Sequence, residues 1–279
     1  MKIAVLSTIF SSKLKLTSNK QTSKLDRENH IMTSNTTFLG TPLLKISPSN
    51  GKITYESLSL LSGHSCPFAL DCMAKVSIKT RKIIDGKNAE FRCFSATQEA
   101  AFPSVFNQRK HNFDLLRDCK TVDDIVELLT VSIRPSYAPL RIHVGGEFFN
   151  QMYFDAWIEY ARRNPSRIFY AYTKSLPYWI ARIDSIPANL SLTASRGGRM
   201  DNLINKYNLK EAVVVFSEEE AEKLGLEIDH DDSHAIANDG KSFALLLHGT
   251  QKAGSNASKS ISAMRNNGTK FSYPRKNVA

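Results

Sequence analysis

The sequence predicts an α/β fold: an open, incomplete (β/α)6-type barrel of parallel strands with a cysteine-bearing loop after the first strand. Six short apolar runs follow one another along the chain, five of them linked by segments of helical spacing. The runs read as continuously apolar, which predicts a parallel sheet covered on both faces. No Gly-rich dinucleotide fingerprint follows the first run, which disfavours the competing doubly wound sheet.

The elements follow in order. KITYESLSL (52–60) is rich in β-branched and apolar residues and predicts the first strand. A loop with three of the four cysteines runs to about residue 96, and DLLRDCKTVDDIVELLTV (114–131) has helical spacing. Strand and helix then alternate: LRIHVGG (140–146) with MYFDAWIEYARRN (152–164), and RIFYAYT (167–173) with LPYWIARI (176–183). NLSLTAS (189–195) pairs likewise with MDNLINKY (200–207), EAVVVFS (211–217) with SEEEAEKLG (217–225), and FALLLHG (243–249) with SNASKSISAMRNNG (255–268). Ser217 is the expected N-cap of its helix, and Gly268 the expected stop of the last one.

Length and composition set the frame. At 279 residues and 42% hydrophobic, the chain suits one large α/β domain, expected over 38–270. Residues 11–37 are rich in Ser, Thr, Lys and Asn without a period, so 1–37 reads as a disordered extension or as sequence upstream of a second start at Met32. Six Lys/Arg against two acids in 1–31, and six against none in 251–279, account for the whole net charge of +10. The basic C-terminus, including the tail 271–279, offers a dock for nucleic acid or an acidic partner, or is a solvated arm. No apolar stretch reaches the roughly 18 residues that span a bilayer, so no membrane partner is expected. Four cysteines in this length do not read as a secreted disulfide scaffold, and the expected location is the cytoplasm.

The carboxyl ends of the strands, where such folds place their chemistry, read Gly145-Gly146-Glu147, Tyr172-Thr173-Lys174, Ser195-Arg196-Gly197, Phe216-Ser217-Glu218 and His248-Gly249-Thr250. The cysteine loop falls on the same rim. Cys66 and Cys72 are six positions apart and Cys93 lies 21 further on. Clustered cytosolic cysteines are metal ligands more often than disulfides, and thiolates are the ligands of iron–sulfur clusters. The wide gaps fit structural zinc poorly. Three thiolates leave one iron of a [4Fe-4S] cluster open, with Cys119 and His64 as candidates to fill it. Buried, unligated cysteines are the competing reading.

Three further segments carry chemistry. HGTQKAGS (248–255) follows a strand and opens a helix, a place for an anion or merely for an N-cap. Asp229, His230, Asp231, Asp232 and His234 form either a hard-cation set or a solvated loop. FSATQEAAFPSVFNQRKHN (94–112) is a nucleic-acid face or, preferably, an amphipathic helix covering the cluster. Arg92 would favour charge on neighbouring Cys93.

The order of these parts resembles the radical S-adenosylmethionine (SAM) enzymes, with a three-cysteine loop after the first strand and a Gly-Gly-Glu-Pro turn after the second. Here that turn reads Gly145-Gly146-Glu147-Phe148, and the cysteine spacing is x5 and x20 instead of the family's x3 and x2. The resemblance implies SAM as a cofactor beside the cluster and its reductive cleavage. Gly145, Gly146 and Glu147 would meet its amino group, Ser195 and Arg196 its carboxylate and ribose, and His248 its adenine end. The chain also resembles a bacteriophage gene-product-88-like family through SGHSCPFA (62–69), RCFSA (92–96) and HGTQKAGS. That second likeness implies no particular activity or substrate. A non-catalytic iron–sulfur or zinc protein that contacts nucleic acid or a host protein is the alternative.

Overall fold

The computed structural model describes residues 37–38, 40–48 and 55–269. Met32, the expected tail 271–279 and all but the end of the expected 1–37 extension lie outside the described residues.

Six strands form one parallel sheet: β3 (Glu56–Leu58), β6 (Leu140–Ile142), β7 (Phe169–Thr173), β8 (Leu190–Ser195), β9 (Glu211–Val215) and β10 (Phe243–Leu246). Their spatial order is their chain order, with no reversal, and every neighbouring pair is parallel. Two small antiparallel pairs stand apart, β1 (Thr37–Phe38) with β2 (Thr41–Pro42) and β4 (Ala74–Val76) with β5 (Ile83–Asp85).

Helix breaks follow local chemistry. The expected helix over 114–131 is two helices, α2 (Pro103–Asp118) and α3 (Val122–Ser132). Thr121 starts the second with a capping box: its hydroxyl accepts from the amide of Asp124, whose carboxylate accepts from the Thr121 amide. The stretch 94–112 divides in the same way, into α1 (Phe94–Ala101) and α2, at Phe102–Pro103, because proline ends the first helix and suits the start of the next. Then come α4 (Gln151–Arg163), α5 (Leu176–Ile180), α6 (Asn202–Tyr207), α7 (Glu218–Leu224), α8 (Ser233–Ile236) and α9 (Asn256–Asn266). Ser217 and Ser255 cap α7 and α9 through their hydroxyls. No described helix is long and apolar enough to cross a membrane.

The two faces of the sheet differ, which corrects the expectation of uniformly apolar strands. Side chains alternate along a strand, and registered neighbours share a face. One face carries Leu58, Ile142, Phe169 and Leu192, packed on α4 through Phe154 and Trp157. The other face carries Arg141, Tyr170, Tyr172, Ser191 and Thr193, nearly all of them buried. Burial of polar groups requires partners. The segment before β10 supplies them: Asp232 accepts from Arg141 Nη1 at 2.7 Å, from Tyr170 at 3.0 Å and from Tyr172 at 3.1 Å. Ser191 donates to the carbonyl of Ala235 on α8. Within 229–234 only Asp229 and Asp232 are buried, and Asp232 is the polar cover of this face; His230, Asp231 and Ser233 are exposed, as in a solvated loop. The described residues hold no group of three His, Cys, Asp or Glu set to bind one ion.

Candidate functional site

A cavity of about 170 Å³ opens at the carboxyl edge of the sheet, above its polar face. That is room for roughly ten waters. Cys66, Cys72 and Cys93 all line it, together with Gly145, Gly146 and Glu147, Ser195 and His248. The three segments SGHSCPFA, RCFSA and HGTQKAGS, far apart in the chain, all reach its wall.

Each sulfur is held by a different piece of structure. Gly63 donates its amide to Cys66 Sγ at 3.3 Å. Cys93 is the N-cap of α1, and the amides of Ser95 and Ala96 face its sulfur. The side-chain amide of Gln251 brackets the residue before it: Gln251 Oε1 accepts from the Arg92 amide at 2.7 Å and its Nε2 donates to the Arg92 carbonyl at 3.1 Å. The turn after β10 thus holds the third cysteine segment in place.

All three cysteines are free thiols whose ionisation is disfavoured. Burial raises Cys66 well above the ordinary thiol value, and negative charge at Glu147, Cys93 and Cys72 raises it further. Burial pushes Cys93 up to about 12, with Cys72 adding to it. Cys72 is raised by burial, against the pull of Lys174. A thiolate set in this pocket needs a cationic centre.

Glu147 sits at the polar wall. Its Oε1 accepts from the Phe148 amide and the Thr173 hydroxyl, each at 2.9 Å, and its Oε2 from the Lys174 amide. Burial lifts its carboxyl to about 7, and these bonds pull the other way. Lys174 reaches across to β8, donating from Nζ to the carbonyl and hydroxyl of Ser195 at 2.9 Å and to the Arg196 carbonyl at 2.6 Å. His248 packs against Phe94 with ring centres 4.6 Å apart and ring planes at 32°.

Other sequence candidates lie elsewhere. Arg196 does not line the cavity; its guanidinium pairs with Glu211 and Asn205. Cys119 packs against the core below α2 and donates to the Leu115 carbonyl. His64 bonds the Val76 carbonyl. Neither lines the cavity. Arg92 lines it, but Asp85 holds its guanidinium with two bonds of 2.7 and 2.6 Å. Arg109, read as part of a nucleic-acid or covering face, is buried against Glu99.

Tyr172 and Lys174, from the expected end of the third strand, belong to the wall, as does Arg141, which the sequence did not mark. The signal for Arg141 was the alternation in L-R-I, F-Y-A-Y and L-S-L-T, hidden because Tyr counts as apolar.

His143 follows β6 with φ +68, in the left-handed region, and its imidazole meets Phe148 and the Tyr153 hydroxyl, 3.0 Å from Nε2. Burial drives its pKa from 6.5 to about 3. The unfolded chain therefore takes up this proton first, so stability is complete above pH 6.5 and falls as pH drops from there toward 3. His143→Asn, which tolerates the same backbone, is expected to flatten that acid limb in denaturant titrations at a series of pH values. An unchanged limb would assign the loss to other groups.

Comparison with known proteins places the chain in a family. The family model described as "Gene product 88" matches residues 14–267. The Gene 88 protein of Mycobacterium phage L5 is 32% identical over 130 residues, 43% of this chain and 47% of that protein. The chain thus matches about half the length of this curated relative. No solved structure matches. With nearly all of its described residues inside the matched range, the chain belongs to the gene product 88 family.

Proposed function

We propose that this protein is a radical-SAM-like iron–sulfur protein, with a [4Fe-4S] cluster on Cys66, Cys72 and Cys93 and an open iron facing the cavity. The observation that carries the reading is the convergence of three cysteines from separate turns on one cavity wall. In this reading the six-stranded sheet is the open part-barrel, and its polar face is the concave one.

Thiols are the donor type that such a cluster takes. Buried thiols that repel one another are stabilised as thiolates by iron. Among the described residues no three His, Cys, Asp or Glu side chains, these cysteines included, are set around a single metal ion. A four-iron cluster seats each thiolate on its own iron and accepts wider spacing.

When bound, the cluster would supply the electron for reductive cleavage of SAM. The chain's own residues would bind and orient. A carboxylate has about four acceptor sites. Three of those on Glu147 are filled from within, leaving one for the ammonium of SAM's methionine moiety. Ser195 accepts from Lys174, so its own proton is available to a carboxylate or ribose oxygen. The Phe94–His248 ring pair, tilted by 32°, offers an aromatic wall for the adenine end. Arg196, paired with Glu211, has no part in this scheme.

Anaerobic purification followed by iron and sulfide assay, then reduction with SAM present, tests the reading. Iron and sulfide are expected in the native protein and lost from the Ser variants of Cys66, Cys72 and Cys93, with 5′-deoxyadenosine released on reduction. Cys119→Ser should keep its iron; losing it would refute the three-cysteine site. An intact cluster without 5′-deoxyadenosine, or zinc in place of iron, would leave the alternative, a non-catalytic iron–sulfur or zinc protein that contacts nucleic acid or a host protein. That alternative is favoured by the 20 residues inserted between Cys72 and Cys93.

A further inference from the structure

We infer that those inserted residues are a docking hairpin for the phosphate backbone of single-stranded nucleic acid. The insertion folds into the β4–β5 pair, with Lys75 directly opposite Ile84 in register. Between Met73 and Ala89 the chain carries Lys75, Lys79, Arg81, Lys82 and Lys87 against Asp85 alone. Asp85 is already held by Arg92. The four lysines are exposed, and none pairs with a described acidic side chain within ion-pair distance. Residues 32–250 balance 25 basic against 25 acidic residues, so this excess is a local feature and not a general bias.

The hairpin is a fixed platform. Arg81 lies 3.6 Å over the Phe106 ring and donates to the Glu99 carbonyl at 2.8 Å, tying the turn to α1 and α2. Gly86 bonds the Met73 carbonyl at its base. Val76 faces inward and is buried, while Lys75 and Ile84 face out. The bond from the Ser77 amide to the Lys82 carbonyl extends the ladder and puts Lys82 on the same outward face. Outward positions recur about every 7 Å along a strand, a repeat that a flexible phosphodiester chain can follow.

Phe102 supplies the second half of the argument. It is 57% exposed at the α1–α2 break, one helical turn from both Glu99 and Phe106, the two residues that anchor Arg81. An exposed ring beside a basic strand pair is the arrangement by which single strands are held, with phosphates on lysines and a base on the aromatic face. An acidic polypeptide would use the lysines and leave the ring idle, so nucleic acid is the occupant assigned.

The test uses the full chain and fluorescence anisotropy with labelled single-stranded oligothymidylate over a salt series. It reads binding whatever the iron content, so a failed cluster leaves it intact. The native protein is expected to bind with salt dependence, and each lysine that contacts phosphate should contribute about 0.7 to the log–log slope. The variant K75Q/K79Q/K82Q/K87Q should lose about 3 from that slope if all four contact phosphate, while K206Q/K223Q, altered at exposed lysines on α6 and α7, should not change it. Phe102→Ala should weaken binding roughly tenfold at fixed salt with the slope unchanged. Equal melting temperatures would establish that the variants fold. An unchanged slope in the four-lysine variant would assign binding to another surface and overturn the inference. So would absence of binding, or equal competition by polyglutamate.

Discussion

Arg109→Met is expected to lower stability by about 3–5 kcal/mol, the cost of leaving a buried charge without its partner. The Arg109–Glu99 pair is almost fully shielded from solvent, with Nη1 and Oε1 3.0 Å apart. The same Oε1 accepts the amide and hydroxyl of Ser62 at 3.0 and 2.8 Å, and Arg109 also holds the carbonyl and hydroxyl of Ser95. Ser62 precedes Cys66 by four residues and Ser95 follows Cys93 by two. One ion pair therefore locks together the two segments that bring those cysteines to the cavity. Chemical denaturation measures the loss. The double variant Glu99→Gln/Arg109→Met removes the stranded charge and should recover most of it. If the double variant is no more stable than the single, the buried carboxylate is not the cause.

Gly146→Ala is expected to cost about 3 kcal/mol or more, from two sources. Its φ of +88 lies where an L side chain is strained, by about 1–3 kcal/mol. An added Cβ would also stand 2.6 Å from Leu60 Cβ and 2.8 Å from Ser65 Oγ, and overpacking adds about 1–3 kcal/mol. Gly225→Ala is the control. It ends α7 at φ +65 with nothing within 4 Å of an added Cβ, and should cost only about 1–2 kcal/mol. Equal losses at the two positions would show that close packing at Gly146 does not matter. Gly145 tells the same story from the other side, since a Cβ there would meet Ser95 Oγ at 2.0 Å. The glycine pair lets the cysteine-bearing segments close down on the end of β6. A reading of these glycines as room for a ligand alone misses that structural role.

The order of strands was legible because each is a short run of β-forming residues bounded by turn or cap residues, and such local preferences need no partner to be read. The capping box at Thr121 and the Phe102–Pro103 break were equally local, and were hidden only by apolar positions that run on across both breaks. The gathering of Cys66, Cys72 and Cys93 on one rim followed from the rule that loops after parallel strands share an edge. The exclusion of Cys119 and His64 from the wall did not. Cys119 terminates α2 against the core, and His64 turns to a carbonyl of β4.

The sequence by itself determined the six parallel strands and their chain order, since both rest on periodicity and on which residue follows which. Tertiary structure alone decided which polar side chains were to be buried together. Arg141, Tyr170, Tyr172 and Asp232 are separated by up to 91 residues, and nothing in their local surroundings marks them as partners. Their pairing is fixed by the cost of leaving any one of them buried without the others, and that cost exists only once the chain has folded over the sheet.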